Sequence, residues 1–316
     1  MSQRIDIAIG VLRQGNRVLL AQRQAKQSHA LKWEFPGGKV EKEEPIEVAL
    51  VREFQEEVGV ETTHWRSLIQ IPWDYETVSV HLHVYESDQF QGEPHGKEGQ
   101  PVQWVAISEL NEYDFPEANQ GILTALQLPE TLMISGSFHD EQDALTRLEA
   151  ALDEGIRLVQ LRAKQMEEVA FKTLAKKAIT LTHRYEGAKI LINGKPDWLE
   201  VLPEADGLQL ASSMIMDLTK RPISENKILS ISTHSKAEVA KALELNADLL
   251  LLSPVKETRS HPDMSGMGWK TFADMVADIP VPVYALGGMK LSDVKESRKH
   301  GAQGIAAISG LWPDPI

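Results

Sequence analysis

Residues 38–60 read GKVEKEEPIEVALVREFQEEVGV, and the N-terminal half of the chain is built around this stretch. From Pro45 to Val58 it predicts a helix, because apolar residues recur at helical spacing: Ile46, Ala49, Leu50, Phe54 and Val58. Glu56 and Glu57 follow Glu53 by three and four positions. We therefore expect the three carboxylates to project from one face of the helix.

Three carboxylates on one helical face repel one another, and a divalent cation removes that penalty. Carboxylate oxygens are hard ligands that suit Mg²⁺ and also Mn²⁺. A solvated acidic face is the alternative for such a cluster. The pair Gly37–Gly38, Arg52 beside the acids and Gly59 as a helix C-cap all favour the metal site.

The stretch resembles the Nudix box, G-x5-E-x7-R-E-U-x-E-E-x-G-U with U hydrophobic, at every specified position. The matching residues are Gly38, Glu44, Arg52, Glu53, Phe54, Glu56, Glu57, Gly59 and Val60. This resemblance implies an α/β/α sandwich with a mixed sheet. It also implies hydrolysis of a nucleoside diphosphate linked to another moiety, with Mg²⁺ held by the glutamates of the box.

Length and composition indicate two domains, which we expect at residues 1–128 and 131–316 of the 316-residue chain. No apolar run is long enough to span a membrane, and the N-terminus lacks the plan of a signal peptide. The absence of cysteine excludes disulfides and thiolate chemistry and fits a cytoplasmic protein. The oligomeric state stays open.

The charge of the chain argues against a nucleic-acid partner. The net charge is −13, and residues 1–128 hold 11 Lys and Arg against 20 Asp and Glu, a balance of −9. A negative net charge is the wrong sign for binding the phosphate backbone of a nucleic acid. A small phosphorylated molecule such as a nucleotide can still bind when metal ions screen the acids.

Five strands and a helix are predicted around the box: Ile5–Leu12, Arg17–Arg23, Trp65–Ile71, Thr77–Tyr85, Val102–Ala106 and a helix that ends near Leu128. Three further segments, residues 34–38, 92–100 and 114–119, resemble the MutT-type subgroup of the Nudix family. The subgroup hydrolyses oxidised guanine nucleotides such as 8-oxo-dGTP to the monophosphate and pyrophosphate, which sanitises the nucleotide pool. The family resemblance places the attack at the β-phosphorus.

The resemblance also implies roles for individual residues. The metal ligands would be the carbonyl of Gly37 and the carboxylates of Glu53, Glu56, Glu57 and Glu98. Glu53 would also be the base for the attacking water, although the sequence does not separate a ligand from a base. Arg52 would orient the glutamates through charge-assisted hydrogen bonds, with a surface ion pair as its alternative. Glu44 would support the loop or a metal-bound water.

The substrate-binding residues implied in the same way are Arg23, Glu34, Phe35, Pro36, Gly37, Gly38 and Asn119. Asn119 would read the purine edge, because its amide offers both a donor and an acceptor to O6 and N7. Arg23 would contact the sugar or phosphate region, and backbone groups of Glu34 and Phe35 would contact the base. The alternatives are an ordinary exposed polar residue for Arg23 and a helix N-cap for Asn119.

The second half of the chain alternates apolar strands with helical stretches such as Gln142–Glu154 and Ser235–Leu245. The eight predicted strands are Leu132–Gly136, Leu158–Arg162, Ile190–Asn193, Gly207–Leu210, Ile228–Thr233, Leu249–Pro254, Val283–Gly287 and Gly304–Ser309. This order predicts a compact (β/α)₈ barrel with its functional groups at the C-terminal ends of the strands.

This half is similar to the thiamine-phosphate synthase and thiazole tautomerase superfamily, and the candidate residues are Arg162, Lys164, Asn193, His234, Gly287, Gly288, Ser309 and Gly310. The synthase branch has an Asp after the Asn and another after strand four. This chain has Gly194 and the carboxylate-free residues 211–216, so synthase activity is not expected. The tautomerase-like branch implies a phosphorylated thiazole-like ligand, with His234 as the proton-transfer residue.

Two alternatives compete with nucleotide sanitation joined to a tautomerase-like barrel. In the first, the Nudix half hydrolyses a pyrimidine or thiamine diphosphate, and both halves serve thiamine metabolism. In the second, the barrel binds a phosphorylated ligand as a sensor without turnover.

Overall fold

The computed structural model describes residues 4–25, 29–258 and 265–315. The chain divides into two compact units. One comprises residues 1–127 with 277–281, and the other residues 128–276 with 282–316. Among the described residues, no helix combines the length and the apolar character needed to cross a bilayer.

The first unit is a mixed sheet with a helix on each face. Its strands are β1 (Ile5–Gln14), β2 (Arg17–Gln22), β3 (Trp33–Glu34), β4 (Gly37–Lys39), β5 (Glu61–Thr63), β6 (Arg66–Asp74), β7 (Ser79–Ser87), β8 (Gln89–Gln91) and β9 (Val102–Ala106). Its helices are α1 (Ile46–Glu57) and α2 (Gln120–Gln127). The main sheet has the order β3-β2-β1-β7-β6. Strand β4 also pairs with β1, and β9 with β2. Only β1 and β7 are parallel among these pairs.

Side chains of β1 alternate between the two faces of the sheet, and this explains how the sheet is covered by one helix on each face. Ile7 and Ile9 belong to the apolar core that α2 closes with Ile122. Ala8, on the opposite face, packs against Ala49 and Leu50 of α1. Successive strand residues point to opposite faces, so one strand supplies both layers of the sandwich.

The box helix matches its prediction to within one residue at each end. Pro45 is its N-cap and Val58 its C-cap, and Gly59 follows with a φ of 70°. Glycine adopts this left-handed conformation at little cost and ends the helix there. The strand predicted from Thr77 begins two residues later, at Ser79. The amide of Tyr75 donates to the carbonyl of Val78 at 2.9 Å and closes a turn just before it.

The second unit is a closed barrel of eight parallel strands paired in chain order. The strands are β10 (Thr131–Ile134), β11 (Leu158–Leu161), β12 (Lys189–Asn193), β13 (Gly207–Leu210), β14 (Ile228–Thr233), β15 (Leu249–Leu252), β16 (Val283–Leu286) and β17 (Gly304–Ala307). The helices are α3 (Glu141–Asp153), α4 (Glu168–Thr182), α5 (Trp198–Val201), α6 (Lys236–Glu244), α7 (Gly268–Val276) and α8 (Val294–Lys299). The short apolar strands are almost wholly buried, as expected when helices cover the outside of a parallel sheet. The predicted barrel is confirmed.

Candidate functional site

Arg52 is the centre of a network that holds two acidic residues of α1 and its preceding loop. Its Nε and Nη2 donate to the two oxygens of Glu44 at 3.0 and 2.9 Å, and its Nη1 donates to Oε1 of Glu53 at 2.6 Å. Nη2 also donates to the carbonyl of Lys39 at 3.2 Å, and Nη1 lies 3.5 Å from Oε2 of the exposed Glu56. These bonds lower the pKa of Glu44 and raise that of Arg52. The arrangement fixes the orientation of Glu53.

Two glycines of β4 allow the strand to lie directly against these acids. A Cβ on Gly38 would fall 2.3 Å from Oε1 of Glu53, and a Cβ on Gly37 would fall 2.1 Å from the carbonyl oxygen of Ala8. The amide of Gly37 donates to Oε2 of Glu57 at 3.1 Å. Any larger residue at position 38 would displace the carboxylate of Glu53.

The carboxylate of Glu57 is buried among other acids. Burial, the largest cause, together with the charges of Glu34, Glu53 and Glu98, raises its pKa to about 8, and the hydrogen bond from Gly37 only partly opposes this. Three of the predicted metal ligands, Glu53, Glu57 and Glu98, are therefore near enough to interact electrostatically.

The loop that carries Glu98 is attached to the C-terminal end of α1. The Gln100 side chain donates to the carbonyl of Glu57 at 3.0 Å and accepts the amide of Glu98 at 2.9 Å. The Lys97 amide donates to the same Glu57 carbonyl at 2.9 Å, and its Nζ donates to the carbonyl of Gln55 at 2.8 Å. Sequence reasoning assigned no role to Gln100. The available signal was a polar side chain two residues after the candidate ligand.

The segment that carries Asn119 contacts the 34–38 segment through an aromatic pair. Phe35 and Phe115 are stacked with ring centroids 5.7 Å apart. Asn119 follows on the 3₁₀ turn Glu117–Asn119 and is only 6 % exposed. Within the described parts of the chain its side-chain amide makes no hydrogen bond, and it does not cap the turn. The alternative role as a helix N-cap is not observed.

Arg23 and Glu34 form an ion pair at the edge of this region. Burial, the largest effect on Glu34, raises the pKa of that carboxyl, and the adjacent guanidinium opposes the rise. The buried Pro36 accepts a hydrogen bond from the amide of Gly10 at 2.9 Å, which anchors the loop that precedes Gly37. The fold thus gathers the predicted residues of the 34–38 segment next to the box.

The ligand types suit a hard divalent cation, although among the described residues no three of the candidate carboxylates have ligand atoms all within 4.8 Å of one another. Burial is the largest cause of the raised pKa of Glu57, and the charges of Glu34, Glu53 and Glu98 add to it. A divalent ion at this point would offset the repulsion between these charges, and oxygen ligands are those that such ions prefer. Glu53, Glu56, Glu57, Glu98 and the carbonyl of Gly37 could hold the ion.

In the barrel, Ser253 holds the ring of His234, with its hydroxyl oxygen 3.2 Å from Nδ1. His234 follows β14, and its Nδ1 lies 2.9 Å from the carbonyl oxygen of Ser253. Because a carbonyl only accepts, Nδ1 carries the proton in this hydrogen bond and Nε2 is left as a proton acceptor.

The remaining barrel candidates lie where their strands end. Arg162 follows β11, its amide donates to Oγ of Ser135 at 2.7 Å, and burial lowers its pKa. Asn193 is the last residue of β12, Gly287 and Gly288 follow β16 with φ values of 101° and 66°, and Gly310 follows β17. The others, Lys164 and Ser309, stand in the segments just after β11 and β17. The eight candidates thus occupy the same end of the barrel.

Comparisons with known proteins match the two halves separately. The family described as NUDIX domain matches residues 8–125, and that described as thiamine monophosphate synthase matches residues 131–311. The 8-oxo-dGTP diphosphatase of Escherichia coli (strain K12) is 38 % identical over 126 residues, which cover 40 % of this chain and 98 % of that protein. A putative thiamine-phosphate synthase 2 of Aquifex aeolicus (strain VF5) is 35 % identical over 184 residues, which cover 58 % of this chain and 98 % of that protein.

Among solved structures, one from a study of MutT in Aliivibrio salmonicida and Vibrio cholerae is 35 % identical, with a TM-score of 0.34. The matched region covers 39 % of this chain and 95 % of the chain in that structure.

Proposed function

Since the chain belongs to the Nudix family in its first half and to the thiamine monophosphate synthase family in its second, we propose that the first half is a Mg²⁺-dependent 8-oxo-dGTP diphosphatase. Its products would be the monophosphate and pyrophosphate. The family relationship supports a diphosphatase, and the choice of an oxidised purine nucleotide is our inference from the site.

The observation that carries the choice of substrate is the side-chain amide of Asn119, which makes no hydrogen bond within the described parts of the chain although the residue is only 6 % exposed. Among the described residues, neither atom of this amide is fully buried without a partner, so the amide is open to a ligand that can pair with it. An amide matches the neighbouring acceptor and donor positions of a purine edge. The stack of Phe35 and Phe115, which joins the 34–38 segment to the 114–119 segment, would supply an apolar wall of the kind that surrounds a flat base.

The hydrolytic step is assigned to Glu53. Arg52 holds Oε1 of Glu53, so Oε2 is the oxygen available to take a proton from an attacking water. A bound Mg²⁺, with Mn²⁺ as a substitute, would neutralise phosphate charge and stabilise the nucleoside monophosphate that leaves when water attacks the β-phosphorus. Arg52 acts through Glu44 and Glu53, which it keeps in place, and has no assigned contact with the substrate.

Steady-state hydrolysis of 8-oxo-dGTP, dGTP and thiamine diphosphate in Mg²⁺ tests this function. We expect the highest kcat/KM for 8-oxo-dGTP and a fall of about 100-fold or more in Glu53→Gln, because a positioned base contributes at least that much. Asn119→Ala should lower the preference for 8-oxo-dGTP over dGTP by about tenfold or more. An unchanged preference would remove Asn119 from base recognition, and faster hydrolysis of thiamine diphosphate would favour a shared thiamine pathway.

For the barrel we propose proton transfer on a phosphorylated thiazole-like ligand, with Nε2 of His234 as the acceptor. Synthase activity is not proposed, because a Cβ on Gly194 would fall 2.2 Å from Cε3 of Trp198 and leaves no room for an aspartate there. The test is isomerisation of a phosphorylated carboxythiazole by the wild type and His234→Asn. We expect turnover only in the wild type. Tight binding without His234-dependent turnover would instead make the barrel a sensor.

A further inference from the structure

Asp6, His81 and His83 form a cluster that shares no residue with the carboxylate site. Asp6 lies opposite His81 in the parallel pairing of β1 with β7, and Ala8 lies opposite His83. Because alternate residues of a strand face the same side, both imidazoles project from one face of the sheet, next to Asp6. This is the face on which Ala8 and Tyr85 pack against α1.

The three side chains are close enough to share one ion. Oδ1 of Asp6 lies 2.8 Å from Nε2 of His83 and 4.0 Å from Nδ1 of His81, and one ligand atom of each residue lies within 4.8 Å of the others. Ligands of a tetrahedral zinc ion at its usual bond lengths stand about 3.4 Å apart. The two observed separations lie on either side of that value, so small side-chain rotations are sufficient.

Hydrogen bonding alone does not satisfy this cluster. The carboxylate of Asp6 accepts a hydrogen bond from His83, whereas His81 lies beyond hydrogen-bond distance of that carboxylate. His81 faces Asp6 with its Nδ1, which makes no hydrogen bond at this distance, and its other nitrogen, the buried Nε2, also has no hydrogen-bond partner among the described residues. The imidazole centroids are only 4.3 Å apart, so two protonated rings would repel each other. The neighbouring Arg4 is ion-paired with Asp74.

We propose that Asp6, His81 and His83 bind a divalent transition-metal ion, with Zn²⁺ as the preferred species. Two imidazoles and one carboxylate are a common zinc ligand set, whereas Mg²⁺ prefers oxygen ligands. The side chain of Asp6 is 55 % exposed, so water can complete the coordination. The ion would join β1 to β7, two adjacent central strands of the sheet, and stabilise their parallel pairing.

The test is Zn²⁺ titration of the full chain against a chromophoric chelator, after removal of bound metal and in excess Mg²⁺ to occupy the oxygen ligands. We expect one tightly bound equivalent in the wild type and its loss in both His83→Gln and Asp6→Asn. Two control variants should keep it: Glu56→Gln in the box, and His64→Asn, which removes an exposed histidine from another part of the same unit.

Unchanged zinc binding in His83→Gln and Asp6→Asn would overturn the proposal, as would loss of the equivalent in Glu56→Gln. A second measurement does not depend on folded variants. Co²⁺ added to the wild type in excess Mg²⁺ should give visible absorption bands characteristic of nitrogen ligation, and their absence would overturn the proposal. Zn²⁺ should also raise the Tm of the wild type but not of His83→Gln.

Discussion

Gly38 shows how much the site depends on the absence of a side chain. The carboxylate of Glu53 occupies the space that a Cβ at position 38 would need, and Arg52 holds that carboxylate in place. Gly38 is not in the left-handed region, so the close approach, and not its backbone angle, is what requires glycine. The strand β4 and the helix α1 meet here without an intervening side chain.

We expect Gly38→Ala to lower kcat by about 100-fold. The added Cβ would push the carboxylate of Glu53 out of position, and a misplacement of about 1 Å in a reacting group can cost about that much. Alanine is compatible with the backbone, so the Tm should change little. Lys39→Ala is the matched control, since Lys39 is exposed and contributes only its carbonyl to the network. Hydrolysis rates and melting curves of both variants check this, and a kcat equal to that of the wild type in Gly38→Ala would contradict it.

At the level of elements, the C-terminal end of α1 depends on a loop from elsewhere in the chain. Helix ends leave several carbonyls without intrahelical partners. Here the carbonyls of Gln55, Glu57 and Val58 accept hydrogen bonds from residues 95–100. The same loop carries Glu98, so capping the helix also positions a candidate metal ligand.

Replacing Gln100 should weaken metal binding more than it weakens the fold. Gln100→Met removes both hydrogen bonds of the amide, and a lost partner of a metal ligand typically costs about tenfold in affinity or more. We therefore expect the Mg²⁺ concentration for half-maximal hydrolysis to rise about tenfold, with kcat recovered at saturation. Gln91→Met, at an exposed position of β8, is the control. An unchanged Mg²⁺ dependence would show that Glu98 is not positioned through Gln100.

At the scale of the whole molecule, the acidic site affects stability as well as chemistry. Glu57 titrates at about 8 in the folded chain, against an ordinary value of 4.5. Between these pH values the folded chain keeps a proton that the unfolded chain has released. The contribution of Glu57 to the free energy of unfolding is therefore complete below pH 4.5 and is lost as the pH rises towards 8.

We expect the Tm of the metal-free chain to fall between pH 5 and about pH 8 through this contribution. Glu57→Gln should flatten this dependence, because glutamine has no proton to lose, and Mg²⁺ should restore the Tm of the wild type at alkaline pH. Glu76→Gln, at an exposed position of the turn between β6 and β7, should leave the slope unchanged. Melting curves across this pH range in a chelator check the prediction, and equal slopes in the wild type and Glu57→Gln would contradict it.

The elements themselves could be predicted from the sequence because their patterns are local. The apolar period placed α1 to within one residue at each end, and short buried runs indicated all eight barrel strands. The same periodicity predicted that Glu53, Glu56 and Glu57 project from one face of the helix; of the three, Glu56 is the exposed one. Strand ends were less certain, as at Ser79, because a turn hydrogen bond decides where pairing begins.

The sequence by itself determined, through local periodicity, the position of the box helix, the positions of the barrel strands and which acids share a helical face. Only the tertiary structure decided which distant groups meet: Glu34 and Glu98 near Glu57, Gln100 at the end of α1, and Asp6 beside His83. These contacts join residues 23 to 77 positions apart in the chain. Such contacts depend on strand register and packing, which no local pattern encodes.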